Sequence, residues 1–122
     1  MRFMILMSFG VLAGCVQETG VPDGGLAFAQ DCAGCHGADG KGGIGPNLTT
    51  LAQNNGGVFP REAVMATIDG LNRPPHFATA MPEFGAGDLG EAVIVETPDG
   101  LGTPTPVRLI ALADYLERIQ AP

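Results

Sequence analysis

The chain has 122 residues, with 19 Gly, 10 Pro, one Tyr and no Trp. That length bounds it to one domain with a modest core, and that much Gly and Pro excludes a long helical bundle or a regular sheet. The net charge of −7 and the single lysine, Lys41, exclude a basic stripe for nucleic acid and a lysine ring for docking an acidic partner.

In chain order, Met1 to Gly14 comes first and reads MRFMILMSFGVLAG. One Arg followed by an apolar run is the pattern of a signal peptide, and it is shorter than the roughly 20 apolar residues a membrane-spanning helix needs. Leu12-Ala13-Gly14-Cys15 resembles the lipobox of bacterial lipoproteins. In that family the Cys thiol receives diacylglycerol and the chain is cut just before it. The resemblance implies a signal peptide over 1–14, a lipidated polar tether over 15–23, and anchoring to a membrane in the bacterial periplasm through Cys15. The bland alternative is that Cys15 is an incidental residue of an ordinary leader. A cut after Ala27-Phe28-Ala29 would remove the helix that leads into the next motif.

Residues 24–122 form the folded domain on this reading. Leu26 to Ala33 reads as a helix with its apolar face at 28, 29 and 32, and it runs into Cys32-Ala33-Gly34-Cys35-His36. C-x-x-C-H is the attachment pattern of a c-type haem. Two thiols three residues apart on one helical turn can each add to one vinyl group of the same haem, and the adjacent His36 then lies under the iron as its proximal ligand. A zinc site would need a second Cys pair, which the sequence lacks. A thioredoxin-like pair would need a βαβ context. A structural disulfide in an exported chain remains the plainest alternative.

The Gly-rich turn 37–42 follows, then Gly45-Pro46-Asn47-Leu48. The whole stretch, F-x-x-x-C-x-x-C-H-G-x-D-G-x-G…G-P-N-L, resembles the class I c-type cytochromes with one haem. That resemblance implies an all-α cytochrome c fold of three to four short helices around one covalent haem c. It implies that the Pro46 carbonyl accepts the His36 imidazole N–H, fixing the ring. Ala80-Met81-Pro82-Glu83-Phe84-Gly85 resembles the family's distal loop, so Met81 is the expected second axial ligand. His76 is the rival sixth ligand. Met65 lies at core spacing in a helix and is expected to be filler.

That helix is expected over 61–70, with Pro60 at its first position, Gly70 as its stop, and Val64, Met65 and Ile68 on one face. The β-branched run Val93 to Val95 and the turn Pro98-Asp99-Gly100 read as a small β-hairpin inserted before the last helix, with 92–96 as the clearer strand. It is either an inert insertion or a docking edge. The last helix is expected to start with Thr105 as N-cap and Pro106 at its first position, and to carry Leu109, Leu112, Ala113 and Leu116 as its ridge. By resemblance it crosses the first helix against Leu26 and Phe28. Arg61, Arg73 and Asn54 are candidates to hold the haem propionates.

One C-x-x-C-H and no internal repeat mean one haem, and no hydrolytic triad or phosphate loop is present. The expected role is a single-electron carrier, not an enzyme. By family analogy its partners are a quinol-oxidising complex or dehydrogenase as donor and an oxidase or reductase as acceptor. Two alternatives stand beside it. One is a haem enzyme or gas-binding protein with an open sixth site. The other is an accessory electron-transfer subunit of a larger dehydrogenase.

Overall fold

Asp23 opens the first helix. Its carboxylate accepts from the N–H groups of Gly25 (2.8 Å) and Leu26 (3.3 Å), satisfying donors that have no partner inside a helix. In the computed structural model, which describes residues 22–71, 81–87, 89–96 and 100–122, this helix is α1, Gly24–Asp31. A single turn, α2 (Ala33–His36), follows directly, and His36 N–H donates to the Cys32 carbonyl at 2.9 Å across the junction. Then come α3 (Leu51–Asn54) and α4 (Arg61–Asp69), which stops at Gly70 with φ 99°, a left-handed cap. A single 3-10 turn spans Phe84–Ala86. Strands β1 (Ala92–Glu96) and β2 (Gly102–Pro106) pair antiparallel, and α5 (Val107–Arg118) closes the chain.

The expected class holds: the domain is mostly helical, with a two-stranded hairpin before the last helix. Among the described residues it has five α-helices where about three to four were expected, because the attachment helix divides at Cys32 and a short α3 is added. The ridge read for the last helix is the buried one, with Leu109, Leu112, Ala113 and Leu116 all in the core. Ile68 is buried too, and Val64 and Met65 pack against the same cluster.

Three local expectations are corrected. Thr105 is not the N-cap of α5; it pairs with Val93 inside β2, and its hydroxyl donates to the Thr103 carbonyl at 3.2 Å. Pro106 takes the cap position, and the first helical N–H, that of Val107, donates to the Glu91 carbonyl at 2.8 Å. The sheet ladder does the capping that a side chain would otherwise do. Pro60 likewise sits one place earlier than expected, at the cap of α4. On α1 the buried face is Gly24, Ala27 and Phe28; Leu26 is 57 % exposed and Ala29 is exposed.

The reason for that rotation is Gly24. A Cβ there would collide with the Ala111 carbonyl and stand 3.0 Å from Tyr115 Cβ. α1 and α5 therefore cross almost backbone to backbone, and Phe28 is drawn onto Tyr115, ring centroids 5.1 Å apart. Arg61 binds Asp114 and Glu117, which ties α4 to α5, while Arg108 binds Asp31 between α5 and α1. Gly24→Ala is expected to destabilise the haem-loaded protein by about 2–3 kcal/mol, the usual cost of overpacking, in a guanidinium titration. An unchanged midpoint would mean that the crossing is not held by this contact.

Candidate functional site

The site is built on the end of one helix. Cys32, Cys35 and His36 lie on the junction and turn of α2, whose last carbonyls have no partner within so short a helix. The following loop supplies them. Gly42 N–H donates to the His36 carbonyl at 2.8 Å, and Gly45 N–H donates to the Cys35 carbonyl at 2.8 Å. Leu48 N–H reaches back to the Gly40 carbonyl at 2.7 Å. The loop is thus wound onto the helix end, and this brings Pro46 under the imidazole ten residues earlier.

His36 is buried, and its Nδ1 lies 2.9 Å from the Pro46 carbonyl oxygen. A carbonyl can only accept, so Nδ1 carries a proton, and in the neutral ring Nε2 is the nitrogen that keeps its lone pair. Gly45 backs the ring: a Cβ there would stand 2.8 Å from both Cε1 and Nδ1 of His36. Only a glycine lets the loop pass so close, and the contact holds the ring plane from behind.

The two thiols differ. Cys35 is exposed and Cys32 is half-buried against the core. Burial pushes the Cys32 thiol up to about 11; the Asp31 carboxylate adds to the shift and the Arg108 guanidinium opposes it. Cys32 is therefore a neutral thiol at ordinary pH. Met81 is partly buried and packs on the same cluster as Cys32, Ala33, Leu48, Phe59 and Met65. The attachment turn and the Met81 loop thus share one apolar cluster, although some 45 residues of sequence separate them. His76, Arg73 and Cys15 lie outside the described residues.

The propionate candidates fare differently. Arg61 is engaged with Asp114 and Glu117, and Asn54 Nδ2 donates to Thr50 Oγ1 at 3.5 Å. A cavity of about 350 Å³ elsewhere on α1 is lined by Asp23, Leu26, Gln30, Leu89 and Arg108, and contains none of the thiols, His36 or Met81. Among the described residues no group of three or more His, Cys, Asp and Glu could hold a bare metal ion.

One residue that composition and spacing did not single out is Gln120. Its amide donates to the Leu48 and Leu116 carbonyls at 2.8 and 2.7 Å and accepts from Ala52 N–H at 2.9 Å. Ala121 N–H adds a bond to the Thr49 carbonyl at 2.7 Å. The end of the chain thereby clamps the segment just after Pro46. No local pattern announces a contact across about seventy residues.

The donor set fits a covalent haem: two free thiols on one turn, an imidazole with Nδ1 already committed, and an apolar cluster beside them. A helical domain with such a turn is a c-type cytochrome with a single haem c, a haem-binding electron-transfer protein. The family model described as "Cytochrome C oxidase, cbb3-type, subunit III" matches residues 20–97, more than half of the chain, and the chain belongs to that family. No curated protein and no solved structure matches it. No helix among the described residues is long and apolar enough to cross a membrane.

Proposed function

We propose that this protein is an outer-sphere carrier of single electrons, with its haem joined to Cys32 and Cys35 and the iron held between His36 and Met81. The observation that carries the reading is the 2.9 Å contact from His36 Nδ1 to the Pro46 carbonyl. It fixes the tautomer and the ring plane, presents Nε2 as the ligand atom, and makes the imidazole a better electron donor. When bound, the haem supplies the one-electron ferric–ferrous couple.

The residues around it do the rest. Phe28, Leu112 and Leu116 belong to the buried apolar cluster on which Cys32 and Ala33 pack, and Leu48, Phe59 and Met65 pack on the same cluster. A thioether from Met81 is a soft ligand that favours ferrous iron and raises the potential. A site ligated on both sides and braced by Gln120 needs little rearrangement when its charge changes.

The partners on this reading are redox proteins of a respiratory chain. A quinol-oxidising complex or dehydrogenase would supply electrons, and an oxidase or reductase would receive them. The family description points to a cbb3-type oxidase assembly as one such acceptor. With one lysine in the chain, docking rests on apolar contact or on a basic partner attracted by the −7 charge. Cys15, acylated on its thiol before the chain is cut ahead of it, anchors the domain through residues 15–23 on the periplasmic side of a membrane.

Two measurements test this. The ferric protein is expected to show the weak near-infrared band of sulfur coordination, and Met81→Ala should abolish the band and lower the potential. A band retained in the variant would move the role to another sulfur, with Met65 the next in place. Cys15→Ser is expected to release the protein into the soluble periplasmic fraction or to block its processing. Unaltered membrane association would remove the lipid from the account.

A further inference from the structure

The loop that carries Met81 is seated on the end of α4, and a glycine makes the contact. A Cβ on Gly85 would collide with both the carboxylate and the backbone carbonyl of Asp69, and would stand 2.7 Å from its Cγ. Carbon atoms in ordinary contact lie ~3.5–4.0 Å apart, so a side chain at 85 must part loop and helix by on the order of 1 Å. The helix side resists that movement. Asp69 follows the buried Ile68, and the helix end is closed by Gly70 and Leu71, whose N–H groups donate to the Ala66 carbonyl at 3.1 and 3.0 Å. The far end of α4 is tied to α5 through Arg61. On the loop side, Phe84 packs on the core cluster, and Gly87 N–H closes its turn by donating to the Phe84 carbonyl at 3.0 Å. Glu83 touches the helix end as well: a Cβ on Gly70 would stand 3.0 Å from its Cγ. Pro82, with its fixed φ, joins this seat to Met81, which packs on the cluster that contains Ile68.

We propose that Gly85 is a positioning residue for the sixth iron ligand: its bare backbone lets the loop settle on Asp69, and that seat sets where the Met81 thioether is presented. The inference rests on the reading of Met81 as that ligand. A methionine sulfur sits on a flexible, unbranched stem, so its own side chain does little to fix it. The backbone around it must do so, and a ligand set needs to be held to within about 0.5 Å. Parting the loop from α4 exceeds that tolerance. The proximal side is held separately, by Pro46 and Gly45 on the loop after α2. A shifted seat therefore weakens the sulfur bond while His36 stays in place, and leaves the ferric iron open to an added base. Whether the site behaves as a closed carrier or an open one is thus set by packing at the end of α4.

The experiment titrates the matured, haem-loaded ferric protein with imidazole, which must displace the thioether to bind, and follows the near-infrared sulfur band. Gly85→Ala is expected to bind imidazole at least about tenfold more tightly than the unmodified protein and to lose its band at lower temperature. Gly24→Ala, an overpacking at the α1–α5 crossing, loosens the fold elsewhere and should leave imidazole affinity within about twofold. Gly70→Ala presses on the same loop through the Glu83 side chain; it should raise the affinity by about two- to fivefold, and it carries the test if Gly85→Ala does not fold. Met81→Ala, with no sulfur to displace, sets the upper limit. A Gly85→Ala protein that binds imidazole like the unmodified one, beside a Met81→Ala protein that binds it far more tightly, overturns the positioning role and leaves the ligand reading intact. So does an equal gain in Gly24→Ala, or, where Gly85→Ala does not fold, a Gly70→Ala protein no different from Gly24→Ala. If Met81→Ala itself changes neither band nor affinity, the ligand reading fails and the inference falls with it.

Discussion

The hydrogen bond between His36 Nδ1 and the Pro46 carbonyl is the constraint around which the site is arranged. For Pro46 to reach the imidazole, nine intervening residues must fold back along the helix that ends at His36. The cost of ordering that loop is offset where the helix needs partners, at the carbonyls of Cys35 and His36. Loop and helix end satisfy each other, and Gly45 lets them touch. The Pro46 carbonyl and the Gly45 backbone both bear on the ring, so its position follows from the path of the chain.

A second tier of contacts stabilises that path. α5 packs its ridge on Ala27 and Phe28 of α1, and Gln120, just beyond it, bonds to Leu48 and Ala52 on the far side of Pro46. The two halves of the site sequence, attachment turn and proline loop, are held against the same C-terminal helix. The ion pairs Arg61 with Asp114 and Glu117, and Arg108 with Asp31, join α5 to α4 and α1 at the surface, where each is worth little alone. Electron transfer asks a protein to change charge without moving, and cross-bracing of this kind suits that demand.

The chemistry of the attachment turn was legible because its residues are adjacent: C-x-x-C-H needs no tertiary knowledge. The ridge of α5 was legible from its period, and β1 from its β-branched run. What escaped was set by distant partners. Leu26 and Ala29 face outward because Gly24 slides under Ala111, a clash no pattern within α1 reveals. Thr105 fits a cap until its pairing with Val93 is known. Arg61 looked free for a propionate until Asp114 and Glu117, more than fifty residues on, claimed it. Gln120 carried no signal, because an amide gains its meaning only from the carbonyls it meets.

The most direct measurement is the proton NMR spectrum of the reduced, diamagnetic protein at the His36 imidazole. With the ring locked beneath a porphyrin, its carbon-bound protons should be shifted far upfield by the ring current. Its Nδ1 proton should exchange slowly with water and lie close to the Gly45 and Pro46 protons. Imidazole protons at ordinary positions, with a freely exchanging N–H, would contradict the arrangement described for Cys32, Cys35, His36 and Pro46.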